Sequence, residues 1–274
     1  MSGSSSPPGP LPRAEILTNA FTTKRLAGKT ALVTGSTRGL GRTIAEWLAR
    51  DGANIVVSGR EEEPVAASVA AMRELGVEAF GITADLARVE EAHRLAVEAL
   101  GRVERLDILV NNAGMSIRGH FWEVSDADWD YQVNVNVRSP YILAQHAAKH
   151  MIDGGIRGRI VNISTIGVTQ CHTNGAVYNL AKGGVETMTR NMAYELAPYR
   201  IGVNCVAPGA IAERPGARER GEDWGDTRGN IPLGRYGRAE DIAAAVRYFC
   251  LPESEFATGQ TLLVDGGHAS YLHE

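Results

Sequence analysis

The sequence is poor in the features that define several protein classes. Its 274 residues include only three cysteines, Cys171, Cys205 and Cys250, and none belongs to a CxxC pair. We therefore expect free thiols in a reducing cytoplasm rather than a disulfide framework or a zinc knuckle, and we expect no metal site. Basic residues number 28 against 32 acidic ones, a net charge of −4, which argues against nucleic-acid binding through bulk charge.

Long hydrophobic runs are also absent. No apolar stretch approaches the roughly 18 residues that a membrane helix needs, so we expect no membrane partner. The first residues, MSGSSSPPGPLP, have neither the basic nor the apolar region of a signal peptide. Because they are rich in Ser, Pro and Gly, we predict a disordered tail over residues 1–25 and one domain over residues 26–274.

Short apolar runs alternate with stretches of helical length from residue 30 onward. Strands are predicted at Ala31–Thr34, Ala53–Ser58, Ala79–Thr83, Ile108–Asn111, Ile160–Ser164, Ile201–Val206 and Thr261–Val264. Helices are predicted at Gly41–Arg50, Pro64–Leu75, Val89–Leu100, Asp126–His150, Ala176–Ala197 and Ala239–Phe249. The strands are continuously apolar, which is typical of a sheet covered on both faces. The pattern predicts an α/β, single-domain, Rossmann-type fold: a doubly wound parallel sheet of about seven strands with helices on both faces.

A glycine-rich turn joins the first strand to the first helix. The segment Thr34–Gly41 reads TGSTRGLG. Gly35 would make the tight turn, Gly39 would let the backbone approach a ligand, and Gly41 would let the helix pack on the strand. A helix N-terminus after such a turn offers N–H groups to a pyrophosphate, so the segment predicts a dinucleotide site.

The end of the second strand bears on which dinucleotide binds. An NAD site usually has an acid there, whereas this strand ends Ser58-Gly59-Arg60. Arg60 directly follows this strand, and Arg38 lies in the glycine loop. Two guanidinium groups near one ribose suit a 2′-phosphate, which accepts bidentate hydrogen bonds, so we favour NADP(H) over NAD(H). The alternative is that both are ordinary surface arginines, in a chain with 24 Arg and 4 Lys, and Glu61–Glu63 weaken the local positive field.

Several motifs occur together and in order. Besides the glycine loop they are NNAG at Asn111–Gly114, YNLAK at Tyr178–Lys182, the Pro208-Gly209 turn, and the late segments Ile231–Arg235, Thr258–Gln260 and Val264–Gly267. In these motifs the sequence resembles the short-chain dehydrogenase/reductase family in its shorter, non-extended form. The resemblance covers about residues 26–267.

Tyr178 and Lys182 are four residues apart on a predicted helix, so their side chains share a face. An ammonium group nearby favours the phenolate and lowers a phenol pKa that is otherwise about 10. The resemblance implies that the tyrosine exchanges a proton with the substrate oxygen while a hydride moves to or from the nicotinamide, and that the lysine also holds the ribose.

Two further catalytic residues are implied by the resemblance. The family places a serine thirteen residues before the tyrosine, and this position is Thr165, preceded by Ser164. We expect Thr165 to hold the substrate oxygen and Ser164 to point toward the sheet. The resemblance also implies an asparagine that supports a proton relay, and matching Trp129-Asp130 and Ser139-Pro140-Tyr141 to the family pattern selects Asn136. Asn134 and Asn136 face about 200° apart on a helix, so the two cannot both serve.

The glycine loop, the two arginines and the resemblance together imply a set of cofactor contacts. They are Gly35, Thr37, Arg38, Gly39, Leu40, Gly41, Arg60, Asp85, Leu86, Asn111, Ala113, Gly114, Tyr178, Lys182, Pro208, Gly209 and Ile211. Asp85 resembles an acid that contacts adenine. Glu213 stands near the usual place of a threonine, which puts a carboxamide or phosphate contact there in question.

Three loops are expected to line the substrate pocket: Met115–Trp122, Ile166–Val177 and a lid at residues 210–231. The lid is rich in charged residues of both signs, which favours a hydrogen-bonding substrate such as a sugar, polyol or hydroxy acid. The alternative is that these side chains point to solvent.

The preferred interpretation is an NADP(H)-dependent oxidoreductase that interconverts a secondary alcohol and a carbonyl. One alternative is a 3-ketoacyl or polyketide-type ketoreductase with a carrier-bound substrate, and another is a non-catalytic dinucleotide sensor. The resemblance also implies a homo-oligomer, a tetramer or dimer, which a light-scattering mass near one protomer would contradict.

Overall fold

The computed structural model describes residues 23–171, 173–212 and 230–270. Its strands are β1 (Thr30–Val33), β2 (Asn54–Gly59), β3 (Ala79–Thr83), β4 (Ile108–Asn111), β5 (Arg159–Ile163), β6 (Gly202–Pro208) and β7 (Thr261–Val264). They form one seven-stranded sheet in the order β3-β2-β1-β4-β5-β6-β7, and every pairing is parallel. The predicted doubly wound sheet is confirmed.

Helices connect these strands. They are α1 (Gly39–Arg50), α2 (Glu62–Glu74), α3 (Val89–Arg102), α4 (Asp126–Val133), α5 (Ser139–Asp153), α6 (Ala176–Leu196) and α7 (Ala239–Cys250). The observed bounds of helices and strands agree with the predicted ones to within two residues, except for the helix predicted over Asp126–His150.

That predicted helix is interrupted. A π-helical turn at Asn134–Arg138 separates α4 from α5, and α5 continues to Asp153. A π turn widens the helix locally and is often found at functional sites. Here it carries Asn136, which is fully buried.

Each face of the sheet carries its own apolar core. Val33 and Val57 pack with α1, α2 and α7 in one cluster of buried side chains. Leu32 and Val56, their immediate neighbours along the strands, pack with α3, α5 and α6 in the other. Because successive strand side chains point to opposite faces, two covered faces require the continuous apolar runs seen in the sequence.

The sheet order places a crevice at one edge. β1 pairs with β2 on one side and β4 on the other, so the chain crosses to the opposite half of the sheet between β3 and β4. In such sheets ligands bind outside the carboxyl ends of the strands at this switch point. The glycine loop, the segment after β4 and the segment after β5 all begin at these ends.

Parts of four predictions lie outside the described residues. They are residues 1–22 of the predicted tail, residue 172 of the pocket loop, residues 213–229 of the predicted lid, including Glu213, and residues 271–274 of the predicted domain. Among the helices of the described part, none combines the length and the apolar character needed to cross a membrane.

Candidate active site

The glycine loop has the backbone shape that its sequence suggests. Gly35 and Gly39 adopt φ values of +63° and +53°, a region that favours glycine. Gly41 lies against the loop itself: a Cβ there would stand 2.2 Å from the carbonyl oxygen of Gly35. Since α1 begins at Gly39, the free N–H groups of its first turn lie in this loop. The loop can therefore hold a phosphate with backbone donors.

A residue that the sequence reasoning did not select holds this loop in place. The Nδ2 of Asn112 donates to the carbonyl oxygens of Thr34, at 2.9 Å, and Gly35, at 3.3 Å. The hydroxyl oxygen of Thr34 in turn accepts from the backbone N–H groups of Asn112 and Ala113, both at 3.0 Å. These bonds join the loop after β1 to the segment after β4. The sequence did contain a signal for this role. The NNAG motif has two adjacent asparagines, and neighbouring residues at a strand end face opposite ways, so one of the two had to face the glycine loop.

The two predicted 2′-phosphate ligands are both exposed. Arg60 donates from Nη1 to the hydroxyl of Tyr131 on α4, at 3.3 Å. Within the described part of the chain, no hydrogen bond or ion pair engages the side chain of Arg38, and none joins Arg60 to Glu61–Glu63. The guanidinium group of Arg38 can therefore turn toward an anion at the end of β2, whereas that of Arg60 would first have to leave the hydroxyl of Tyr131.

The segment after β3 is fixed to the interrupted helix. Ser139 donates to the carbonyl of Leu86 at 2.8 Å, and Asn134 donates to the carbonyl of Ala87 at 3.0 Å. Asp85 is half-buried and accepts from the N–H of Ala87 at 3.2 Å. The predicted adenine contacts Asp85 and Leu86 thus lie on a segment that the π turn helps to position.

Asn111 lies differently from its neighbours. Its side chain is buried and donates to Oδ1 of Asn162 at 2.9 Å and to the carbonyl of Pro140 at 3.3 Å. The side chain therefore lies inside the protein, and any ligand contact would have to come from its backbone. Two residues beyond Asn112, Gly114 is packed so tightly that a Cβ would stand 3.0 Å from Oδ1 of Asn136.

Three of the four predicted catalytic residues, Asn136, Tyr178 and Lys182, lie together beside Gly114. Asn136 accepts from the N–H of Met115 at 3.1 Å and donates to its carbonyl at 2.7 Å. Lys182 stands so close that its Nζ would lie 3.3 Å from a Cβ at Gly114. The same Nζ lies 5.8 Å from the ring centroid of Tyr178, one turn earlier on α6. The structure therefore brings the asparagine, the lysine and the tyrosine into one cluster.

Lys182 is fully enclosed, and its Nζ donates to the carbonyl of Ile163 at 2.8 Å. Burial lowers the pKa of this lysine from its ordinary value to about 8. The ammonium form still predominates at neutral pH, so a positive charge is available near the half-buried Tyr178. A phenolate at Tyr178 would be stabilised by that charge.

The two candidate hydroxyls after β5 have different environments. Thr165 is half-buried, and its hydroxyl oxygen accepts from the N–H of Gly167 at 3.2 Å, at the start of a short 3₁₀ turn. Ser164 is buried and donates to a carboxylate oxygen of Glu186 at 2.7 Å. Of the two residues, Thr165 is the more exposed.

The remaining predicted cofactor contacts are Pro208, the last residue of β6, and Gly209 and Ile211 just after it. Gly209 packs against Asp265, whose Cα would lie 2.7 Å from a Cβ at Gly209. Ile211 pairs with Gly237 in an isolated parallel bridge. The segment after β6 is thus tied to the later chain just before the undescribed residues 213–229.

The predicted pocket loops contact one another and the C-terminal segment. The N–H of Gly119 donates to the carbonyl of Asn174 at 3.3 Å, and Gln170 donates to the carbonyl of His268 at 2.7 Å. In the described ranges, no group of three or more His, Cys, Asp or Glu side chains could hold a metal ion.

Comparison with known proteins gives consistent matches over most of the chain. A family model described as enoyl-(acyl carrier protein) reductase matches residues 35–269. Gluconate 5-dehydrogenase of Gluconobacter oxydans (strain 621H) is 37% identical over 251 residues, covering 88% of this chain and 95% of that protein. The 3-oxoacyl-acyl-carrier-protein reductase FabG of Aquifex aeolicus (strain VF5) is 36% identical over 246 residues, covering 89% and 98%.

A solved structure is similar to this chain in both fold and sequence. It is a gluconate 5-dehydrogenase from Burkholderia cenocepacia J2315 in complex with NADP and tartrate. The TM-score is 0.85 at 35% sequence identity, and the match covers 93% of this chain and all of the other.

Proposed function

This chain belongs to the short-chain dehydrogenase/reductase family, whose members are NAD(P)-dependent oxidoreductases of CH–OH groups, and from that premise we propose a specific reaction. The protein interconverts a secondary alcohol and a carbonyl by hydride transfer with NADP(H), acting on a small polar substrate. The observation that carries this proposal is the enclosed Lys182 ammonium beside Tyr178 on one helix.

The chain's own side chains account for the proton. In the oxidative direction the Tyr178 phenolate accepts the proton of the substrate hydroxyl, and the ammonium of Lys182 favours the phenolate form. Thr165 donates a hydrogen bond to the substrate oxygen and orients the reacting carbon. NADP⁺, when bound, would supply the hydride acceptor: the C–H electron pair would leave with the hydride, and the electron pair freed from the O–H bond would form the carbonyl. Asn136 holds the Met115 backbone beside the cluster through two hydrogen bonds.

The residues around the switch point fit a dinucleotide phosphate. The positive φ values of Gly35 and Gly39 and the close packing of Gly41 leave the loop backbone without side chains that would keep a phosphate away. Arg38 and Arg60 are exposed beside the end of β2, where guanidinium groups suit a 2′-phosphate. The NADP in the Burkholderia structure supports the same cofactor. We therefore propose NADP(H) over NAD(H).

The substrate class rests on the pocket loops and on the relatives. Two relatives are named gluconate 5-dehydrogenases, and one of them is bound to tartrate, a hydroxy acid. These names support a sugar, polyol or hydroxy acid. The FabG relative, at 36% identity, supports a second candidate, a 3-ketoacyl substrate on a carrier protein.

The test is a spectrophotometric assay of NADPH formation. NADP⁺ is offered with a panel of sugars, polyols, hydroxy acids and simple secondary alcohols, and NAD⁺ is run in parallel. Tyr178→Phe removes the proton acceptor but keeps the ring. We expect turnover on one polar class and a loss of at least about 100-fold in kcat in the variant, since general acid–base catalysis contributes about 10²–10⁴-fold.

Other outcomes separate the alternatives. If no compound of the panel is oxidised but a 3-ketoacyl thioester is reduced with consumption of NADPH, the carrier-bound substrate is favoured. NADPH binding without turnover of any carbonyl or alcohol would indicate a sensor. A preference for NAD⁺ would contradict the roles given to Arg38 and Arg60.

A further inference from the structure

Glu186 is a charged residue beside the catalytic cluster that the proposed reaction does not use. It lies on α6, one turn beyond Lys182. Its carboxylate accepts a 2.7 Å hydrogen bond from the hydroxyl of Ser164, which is 2% exposed. Such a bond to an ionised acceptor is among the stronger hydrogen bonds in proteins. It joins α6 to the residue directly before Thr165.

The catalytic groups are divided between two elements, so their spacing depends on how these elements are joined. Thr165 follows the end of β5, whereas Tyr178 and Lys182 lie on α6. Their mutual positions are fixed only if the end of β5 is held against α6. A misplacement of about 1 Å in a reacting group can cost about 100-fold in rate.

Three consecutive residues at the end of β5 bind α6. Asn162 donates to the hydroxyl of Thr189 at 2.9 Å, the carbonyl of Ile163 accepts from Lys182, and Ser164 donates to Glu186. The middle bond uses the ammonium that the reaction itself requires. Of the three, the bond between Ser164 and Glu186 lies nearest Thr165 and uses no reacting group; the same hydroxyl also lies 3.5 Å from the backbone carbonyl oxygen of Lys182, a longer contact to the same helix.

The surroundings of Glu186 also include Cys205 on β6. Burial and the Glu186 carboxylate raise the pKa of the Cys205 thiol to about 12, against the opposing effect of Lys182. The thiol is therefore neutral at working pH. The negative charge of Glu186 and the positive charge of Lys182 both act on this one buried side chain.

We propose that Glu186 is a positioning residue for catalysis: through Ser164 it fixes the hydroxyl of Thr165 relative to Tyr178. This role rests on the proposed function. It acts on the chemical step, because Ser164 and Glu186 lie apart from the glycine loop and the arginines at the end of β2, and Ser164 approaches the backbone carbonyl of Lys182 rather than its ammonium. Removing the bond therefore lowers kcat and changes cofactor affinity little.

The test compares Glu186→Ala, Ser164→Ala, the double variant and Glu186→Gln. Oxidation is measured with NADP⁺ and the panel member that the wild-type protein oxidises fastest, and NADPH affinity is measured by fluorescence. We expect each alanine variant to lose about tenfold in kcat, with the NADPH Kd changed less than about twofold. Glu186→Gln retains most of the activity because its amide oxygen accepts the same hydrogen bond. Glu195→Ala, at an exposed position of the same helix, serves as the matched control.

The double variant distinguishes positioning from general damage. If Ser164 and Glu186 act through one bond, kcat of the double variant falls about as far as kcat of the more impaired single variant. The inference would be overturned if the two single losses in kcat multiply in the double variant, if kcat is unchanged in Glu186→Ala, or if NADPH affinity falls in parallel with kcat. If the wild-type protein oxidises no panel member, the polar-substrate function fails, and the same variants are compared in NADPH-dependent reduction of a 3-ketoacyl thioester, so that failure of the function and failure of the inference stay distinguishable.

Discussion

At the residue scale, Lys182 combines complete burial with a charge that the reaction needs. Its Nζ reaches the carbonyl of Ile163, and its pKa is lowered to about 8 by loss of water contact. The same enclosure that weakens the ammonium strengthens its effect on Tyr178, because a nearby charge acts more strongly in a low-dielectric site. Burial of Lys182 therefore lowers the stability of the folded protein but strengthens the electrostatic effect of its ammonium on the Tyr178 phenol.

This shift has a consequence for stability against pH. The lysine pKa is lower in the folded protein, about 8, than its ordinary value of 10.5. Between these values the unfolded chain binds more protons, so stability rises with pH. We expect Lys182 to contribute an increase of about 2 kcal/mol in the free energy of unfolding between pH 7 and pH 10. The measurement is urea denaturation of the wild-type protein and of Lys182→Met at several pH values. The contribution of Lys182 is the difference between the two proteins in how the free energy of unfolding changes with pH.

The control for this slope is Lys149→Met. The side chain of Lys149 is 78% exposed, so its variant keeps the pH dependence of the wild-type protein. Parallel curves for the wild-type protein and Lys182→Met would show that the folded-state pKa is not lowered.

At the same scale, some side-chain positions follow from the sequence and others do not. The four-residue spacing of Tyr178 and Lys182 was enough to place them on one face of a helix. Alternation at a strand end could also have separated the interior Asn111 from Asn112, which binds the glycine loop. The partner of Ser164 could not be found this way, because Glu186 meets it only after α6 packs on the sheet.

At the scale of elements, the strands and most helices were predictable because length and apolar pattern determine them. The π turn at Asn134–Arg138 was not, since it changes the helical period for a single turn within a long apolar pattern. The turn nevertheless affects the site, because it carries Asn136 and follows directly on the helix that holds Tyr131. Local departures from regular structure need tertiary contacts to explain them.

The junction of β1 and α1 depends on a glycine with no room for a side chain. A Cβ at Gly41 would stand 2.2 Å from the carbonyl oxygen of Gly35 and 2.3 Å from Nδ2 of Asn112. Gly41→Ala must therefore move the loop away from α1. We expect a loss of about 1–3 kcal/mol in the free energy of unfolding, as for an overpacked interior. We also expect weaker NADPH binding, measured by fluorescence titration.

Gly101→Ala is the matched control for this change. Gly101 lies within α3, and among the described residues nothing beyond the adjoining helix backbone stands within 4 Å of the place that a Cβ would take there. Alanine at this position is expected to leave NADPH affinity unchanged and to stabilise the protein by about 0.5–1 kcal/mol. Equal NADPH affinity in the Gly41 and Gly101 variants would show that the loop tolerates a side chain.

At the scale of the whole molecule, α1 near the start of the described chain packs against α7 near its end. Asp51, directly after α1, is fully buried and forms an ion pair with Arg247 of α7, whose Nη2 lies 3.0 Å from Oδ1. The pair lies at the opposite end of α1 from the glycine loop. It therefore joins the two halves of the sheet without touching the site.

Asp51→Asn keeps the shape of this side chain but removes its charge, so the Arg247 guanidinium, which is 16% exposed, no longer faces this carboxylate. We expect a fall of about 3 kcal/mol in the free energy of unfolding, measured by urea denaturation, because removing one partner of a buried pair is costly. Asp153→Asn, in an exposed pair with Lys149, is expected to change it by less than about 0.5 kcal/mol. Since the pair is remote from Tyr178, kcat should stay unchanged in both variants while they remain folded. Equal stabilities of the two variants would mean that the ion pair between α1 and α7 does not hold the halves of the molecule together.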